Sequence, residues 1–258
     1  MNEHEYALMR HVEDSHWWYS ELRESVVAIV KDELAGRDDA RILDAGCGTG
    51  GMMEVLRRES PSWRLTGLDF SPQAIEHTRM RGFASLTQGS VNALPFADAF
   101  FDVVLSLDVL YFEGVDDMKA IAESHRVLKP GGMLVLNLPA FDVLRGQHDV
   151  AVKGVRRYTP GRVRNLLATA GLECLRVHCW NLWLFVPILC WRMLSRLFQP
   201  REVSQARSDL ANPPACLNTL LTSIGRFDMG LCRVLRSPLG TSVQAIARKP
   251  VGQPLCEP

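Results

Sequence analysis

The 258-residue chain carries 29 Lys and Arg against 29 Asp and Glu, a formal net charge of zero, with 47% apolar and 22% charged residues. That balance describes a folded globule able to bury one enlarged α/β core; it excludes a disordered tail, and without a basic stripe interleaved with aromatics it disfavours nucleic acid as a partner. The seven cysteines are odd in number, scattered and without a CxxC pair, which points to reduced thiols in a cytoplasmic protein rather than to a disulfide framework or a zinc site.

In chain order, the first twenty residues are charged throughout and hold no apolar run ahead of a small-residue cleavage site, so they do not read as a secretory signal. Leu22, Val26, Ile29 or Val30, and Leu34 recur at helical spacing and predict an amphipathic helix over 20–35 that stops at Gly36. RILDA (41–45) predicts a strand, and a glycine-rich turn then leads into a helix from Gly50 that offers Met53, Val55 and Leu56 for burial. RLTGLDF (64–70) is a second strand, after which Ser71 and Pro72 supply an N-cap and a first-turn residue. FDVVLSL (101–107) is apolar enough for a strand buried on both faces. KPGGMLVLNL (129–138) reads as a tight turn feeding another strand.

Thr159 and Pro160 open a helix that shows Val163, Leu166, Leu167 and Ala170 on one face and stops at Gly171. A further strand is expected over 173–181. The apolar run that follows, 182–191, spans ten residues, against the roughly twenty needed to cross a bilayer, so a membrane-spanning protein is not expected. A polar link (199–214), an amphipathic helix through Leu217, Leu220, Leu221, Ile224, Leu231 and Leu235, and a last strand over 241–248 complete the chain. The alternation of strands and helices predicts a parallel sheet covered on both faces.

Charge is unevenly spread. Residues 1–130 hold 13 Lys and Arg against 22 Asp and Glu, a net −9, and residues 131–258 hold 16 against 7, a net +9. Either the carboxy half faces something anionic or the two halves attract each other.

LDAGCGTGG (43–51) sets glycines directly behind Asp44, at the carboxyl edge of the first strand, where open α/β sheets bind ligands. A bare backbone lets a ligand lie close, and helix-start amides favour polar or negative atoms. Gly46, Gly48 and Gly51 satisfy GxGxxG, a dinucleotide signal that is weak alone. Asp44 argues against it, because a carboxylate there repels a pyrophosphate and suits a cationic amine.

With these motifs in this order, residues 38–181 resemble the class I S-adenosylmethionine-dependent methyltransferases, type 11-like. ILDAGCGTGG is similar to their first motif, LTGLDFSP to the second, GSVNALPF to the third, and RVLKPGGMLVL to the turn and fifth strand. The resemblance implies a Rossmann-like seven-stranded sheet, mostly parallel with an antiparallel last strand. As cofactor it implies S-adenosyl-L-methionine, converted to S-adenosyl-L-homocysteine. Asp44 would then contact the donor's amino-acid portion, Gly46 and Gly48, with Cys47 between them, would admit its nucleoside, and Asp69, followed by Phe70, would take the two ribose hydroxyls. Ser90, Val91 and Asn92 would lie at the adenine, with Ser106 and Leu107 at the end of the fourth strand. Two departures stand out: Ser90 replaces an acid common in relatives, with Asn92 as helper, and Phe112 stands where many carry His. By the same resemblance the chain divides into an N-terminal helical lid (1–37), the donor-binding core (38–181), an apolar helical insertion (182–240) and the last strand and tail (241–258).

Substrate residues are sought outside the nucleotide half. HWWY (16–19) offers Trp17 and Trp18 to exclude water and to lie beside a sulfonium through cation–π attraction. GQHDVAVKGVRRYTP (146–160) resembles an element of a bacterial subgroup of these enzymes. Within it His148 is the candidate base, because its ordinary pKa lies near neutrality. Arg156 and Arg157 are candidate clamps for a phosphate or carboxylate, and Tyr158 is a candidate hydrogen-bonding partner of the acceptor. Asp108, Tyr111 and Trp183 complete the substrate set, with a helix cap as the alternative for Asp108. The Trp-rich stretch after 181 carries interspersed arginines and suits, in order, a pocket wall or lid, a dimer contact, and a weak membrane-surface contact. The expected function is methyl transfer to a small, amphipathic or anionic acceptor, by a monomer or homodimer. A dinucleotide-dependent oxidoreductase and a donor-holding accessory protein without turnover are the alternatives.

Overall fold

A computed structural model describes residues 3–198 and 213–251, with backbone only at 3–5, 148 and 196–198. Its sheet runs β3 (Leu86–Gln88), β2 (Arg64–Asp69), β1 (Arg41–Ala45), β4 (Phe101–Leu107), β5 (Leu128–Pro139), β7 (Ser242–Arg248) and β6 (Glu173–Trp180). Pairings from β3 to β5 are parallel, and β7 runs antiparallel to both β5 and β6. This is the seven-stranded, mostly parallel sheet with an antiparallel last strand that the motifs implied. The order reverses between β1 and β4, so a crevice opens at the carboxyl ends of those strands.

Period-2 alternation sorts the central strands between two cores. Leu43, Val104, Leu134 and Leu136 face one side, under α5 (Asp117–Val127) and α7 (Pro160–Thr169). Ile42, Val103, Leu105, Met133 and Val135 face the other, under α2 (Trp17–Glu33), α3 (Gly51–Glu59) and α9 (Ala215–Leu235). Helix starts follow their caps: Ser71 accepts from the Ala74 amide at α4 (Pro72–Met80), Asp116 caps α5 and Thr159 caps α7.

Local expectations change, and further elements join those read from the sequence. The tandem tryptophans do not precede the long helix but form its first turn, with His16 as N-cap. The strand β3, three residues long, has too little pattern to be read from sequence. Between β5 and α7 lie a 3-10 turn at Asp142–Leu144 and the helix α6 (Gln147–Ala151). The tight turn expected ahead of the fifth strand lies inside β5, at the break in pairing between Leu128 and Met133, where Gly131 takes φ +80°. An added Cβ on Gly132 would sit 2.9 Å from the Lys129 carbonyl and 3.0 Å from that of Asp102, so the glycines there serve the turn.

The opposite charges of the two halves meet one another, as Glu24 pairs with Arg226, Glu33 with Arg248 at 2.7 Å and Asp32 with Arg233 at 3.9 Å. The apolar run becomes α8 (Leu182–Phe198), which contains Pro187, and a short α1 (Glu3–Val12) precedes α2. Most of the expected polar link, 199–212, and the tail, 252–258, lie outside the described residues. Among the described residues no helix is long and apolar enough to cross a membrane.

Candidate functional site

A cavity of about 620 Å³ lies at the carboxyl edge of the sheet. One end is made by β1, β2 and the glycine turn. The other is made by the ends of β4, β5 and β6 with α2, α6 and α8.

At the first end the turn is folded by its own backbone. Gly46, Gly48 and Gly50 take φ of +102°, +55° and +80°, a region that favours glycine. The amides of Gly46 and Cys47 donate to the Leu68 carbonyl at 2.7 and 2.9 Å, and the Gly48 amide donates to Asp69 Oδ2 at 2.9 Å. Asp69 Oδ1 accepts from the Ser71 amide at 2.9 Å and from the Tyr6 hydroxyl at 3.4 Å. Asp69 thus has both lone pairs of Oδ1 engaged and keeps one on Oδ2 for a further donor. Burial pushes its pKa up, opposed by these donors.

Asp44 is 3% exposed, and among the described residues no group donates a hydrogen bond to its carboxylate. Burial, then the neighbouring Asp69, push its pKa up to about 7, with Arg23 opposing and Glu13 adding. A buried carboxylate beside a second one is an attractive place for a cation.

The glycines do less for a ligand than the sequence suggested and more for the protein. The Arg23 guanidinium and the Glu13 carboxylate occupy the space a side chain on Gly51 would need, Thr78 that of Gly50, Met9 that of Gly48 and Val109 that of Gly46. Glu13 bonds the Thr49 hydroxyl, Arg23 Nη2 at 2.5 Å and Arg81 Nη2 at 2.6 Å, while Arg81 Nε donates to the Thr49 carbonyl at 2.8 Å. The end of α1 is thereby latched to the turn. A carboxylate already stands at the start of α3, and the turn amides are committed, so no pyrophosphate cradle is left. The dinucleotide alternative loses its physical basis.

Around the adenine position, Ser90 and Val91 line the cavity with Phe70, which is 78% exposed. Asn92 does not join them. Its amide donates to the Gly114 carbonyl at 2.9 Å and accepts from the Asp116 amide at 3.0 Å, so it fastens two loops instead of assisting Ser90. Ser90 Oγ itself accepts from the Asn92 amide at 3.2 Å. Leu107 lines the cavity, whereas Ser106 is 3% exposed inside β4 and does not.

At the second end Trp17, Trp18, Asp108, Tyr111 and Arg157 all line the wall. Trp18 stacks on Trp180 at 5.7 Å and 23°, and Trp17 packs on Trp183 at 6.0 Å. Trp183 therefore supports the wall from behind and is not part of the lining. Arg157 is no free clamp: its guanidinium holds both oxygens of Asp149, at 2.8 and 3.0 Å, and the Ala140 carbonyl at 2.9 Å. Arg156 points elsewhere, donating to the Val115 carbonyl at 2.8 Å. Tyr158 is fully buried, and its hydroxyl lies 3.0 Å from the Leu110 carbonyl and 3.2 Å from Asp117, away from the cavity. It braces the core instead of meeting an acceptor. His148 sits on α6, but its side chain lies outside the described residues.

Asp108 gains what these lose. It stands one residue beyond β4 at φ +56°, its amide donating to the Asn137 carbonyl at 2.8 Å and its Oδ2 accepting from Asn137 Nδ2 at 2.8 Å. Burial pushes its pKa up to about 7, with the Asn137 hydrogen bond and Arg157 opposing. No helix begins at Asp108, so the cap reading fails. A strained, cavity-facing carboxyl that titrates near neutrality has the properties of a general base.

The sequence reading missed Tyr6, Met9, Glu13, Arg23 and Arg81, whose roles depend on α1 folding back over the glycine turn. It also missed Asn137 and Asn181, and Leu184 and Ile188, which bring the inner face of α8 to the cavity. A polar residue inside an apolar strand, as Asn137 is in LVLNLP, was the available signal.

Residues 43–136 match the family model described as Methyltransferase domain. The chain is 35% identical over 128 residues to the malonyl-[acyl-carrier protein] O-methyltransferase of Enterobacter lignolyticus, covering 49% of each. It is 38% identical over 141 residues to a ubiquinone/menaquinone biosynthesis C-methyltransferase of Desulfotalea psychrophila, covering 50% of this chain and 52% of that protein. The chain thus spans about half the length of these curated relatives. Among solved structures, the geranyl diphosphate C-methyltransferase of Streptomyces coelicolor A3(2) superposes with a TM-score of 0.57 at 16% identity, over 90% of this chain and 82% of that one, a likeness of fold. Motif, sheet order and buried acid pair agree: residues 43–136 match a methyltransferase domain, set on the fold of the class I S-adenosylmethionine-dependent methyltransferases.

Proposed function

We propose that the protein transfers a methyl group from S-adenosylmethionine to a small, largely apolar acceptor carrying one polar reacting group. The observation that carries this reading is the buried, unpartnered Asp44 beside Asp69, a pair that fits a ligand with a cationic amine at one end and a diol at the other. When bound, the donor supplies a methyl carbon on positively charged sulfur, open to in-line displacement. Asp44 would hold the amine and Asp69 the ribose hydroxyls, with Ser90, Val91 and Phe70 walling the adenine. Trp17 and Trp18 exclude water, and the latch formed by Glu13, Arg23 and Arg81 holds α1 over the turn.

The acceptor's proton goes to Asp108. Asn137 fixes that carboxyl, and burial keeps its proton affinity near neutral pH. Two of the three residues expected to recognise the acceptor through charge or hydroxyl, Arg156 and Tyr158, lie off the cavity, and the third, Arg157, is already paired. Apolar contact is left to dominate recognition. Incubation of the pure protein with methyl-labelled donor and a cell extract tests the proposal. Label is expected in a small organic-soluble product, and label confined to the donor contradicts turnover. Calorimetry is expected to show S-adenosylhomocysteine binding and no heat with nicotinamide dinucleotides.

A further inference from the structure

At the far wall of the cavity Asn181 sits between β6 and α8, fully buried, lining the cavity, at φ +59°. Neither its Oδ1 nor its Nδ2 has a hydrogen-bond partner among the described residues. Its position suggests a structural reason: it immediately precedes a helix, and asparagine there ordinarily caps the first amides with its own side chain. In this fold Asp228 from α9 has taken that task. Its two oxygens accept from the Leu182 and Trp183 amides, each at 3.2 Å. The Asn181 amide is therefore buried, relieved of capping and left with one acceptor and two donors to satisfy, an unfavourable state until something pairs with it.

The sheet fixes how far this amide lies from the reacting end. Strands run β4, β5, β7, β6, with Pro139 opposite Ser242 and Ser242 opposite Trp180, so Asp108 and Asn181 stand on one edge three strand steps apart. At about 4.8 Å per step that is roughly 14 Å. Asn137 braces both ends, donating to Asp108 and accepting from Trp180 Nε1 at 2.9 Å. Between them Trp17, Trp18, Leu22, Leu184 and Ile188 supply apolar wall, with the charge of Arg157 and Asp149 paired to one another.

We propose that Asn181 is the specificity anchor of this cavity: it pairs with a carboxamide-like group, one that donates and accepts side by side, at the distal end of an elongated apolar acceptor whose reacting group lies at Asp108. The inference rests on the methyltransferase reading and adds the length and the far-end chemistry of the substrate class. Asn181 is a positioning residue; it touches no reacting atom.

The test is calorimetry on the full-length protein saturated with S-adenosylhomocysteine, comparing decanamide with its methyl-ketone isostere, which accepts but cannot donate. The wild type is expected to bind the amide at least tenfold more tightly. In Asn181→Gly, which keeps the left-handed backbone and deletes the amide, the preference is expected to vanish while Tm holds or rises. Equal binding of the two probes by the wild type, no measurable binding of either, or a preference that survives in Asn181→Gly overturns the inference. Should the glycine variant fail to fold, Asn181→Ala removes both the acceptor and the donor and serves the same reading. Failure of S-adenosylhomocysteine to bind in the first titration overturns the methyltransferase reading itself, and the inference with it; normal binding without amide preference overturns the inference alone.

Discussion

At the β1–β2 end of the cavity nearly every polar group except Asp44 is tied to another protein group: the turn amides to Leu68 and Asp69, Asp69 to Ser71 and Tyr6, Glu13 to Arg23 and Arg81. At the β6–α8 end apolar residues supply much of the wall, and the buried amide of Asn181 is unpaired among the described residues. The first end is preorganised for a ligand of fixed shape with a positive charge to place against one carboxylate. The second is a lane whose selectivity rests on a few side chains. The contrast explains how one donor site serves many acceptors: binding energy for the donor is built into backbone geometry, while acceptor choice is written in separate residues that can change without disturbing the turn.

Substitution at the junction of the two ends should have the largest effect. Asp108→Asn keeps the size and the Asn137 contact but removes the base, and turnover is expected to fall roughly 10²–10⁴-fold with donor affinity unchanged. The wild-type rate should rise with pH and level off above about 7, as Asp108 gives up its proton, and the variant's residual rate should lose that step. An unchanged profile would place the base elsewhere, with His148 next to be tested.

A smaller effect is expected from the latch. Arg81→Ala leaves Glu13 paired with Arg23 alone and should cost about 1–3 kcal/mol of stability, with faster amide exchange confined to α1 and the turn. Exchange that rises equally at α8 would mean that the two ends are not separable.

The smallest effect, and the most specific, is protonic. Burial and Asp69, with Glu13 adding and Arg23 opposing, push the pKa of Asp44 up to about 7; an ammonium beside it lowers that value. Donor binding near pH 7 should therefore release a fraction of a proton, vanishing above about pH 8, and affinity should fall as the pH drops below 7. Calorimetry in buffers of different ionisation enthalpy reads this directly, and Asp44→Asn should abolish it. The sign for folding is opposite. Because Asp44 and Asp108 hold protons in the folded state that the unfolded chain releases near pH 4, the ligand-free protein loses stability as pH rises from there to about 7.

How much could be read in advance follows the same division. Asp44, the glycine turn and Asp69 were legible because local backbone demands there admit few residue types, and so was the sheet, whose strands are short apolar runs between clear caps. Arg156 and Tyr158 misled because RRY sits in the right segment, yet Tyr158 alternates inward to Leu110 and Asp117 while Arg156 turns to Val115. Asn92 misled because its amide matches the gap between two loops as well as it matches an adenine. Glu13, Arg81 and Asn181 carried no local signal: their roles arise from contacts dozens of residues away, among them Asp228 replacing Asn181 as a cap.

The donor claim is tested most directly by titrating S-adenosylhomocysteine into the wild type and into Asp69→Ala, with folding checked by the thermal transition. One site per wild-type chain is expected, weakened in the variant by roughly 1.5–3 kcal/mol for each charged hydrogen bond lost. Equal affinity in a folded variant, or no binding to the wild type, would contradict the assignment of Asp69 to the ribose and of this cavity to the methyl donor.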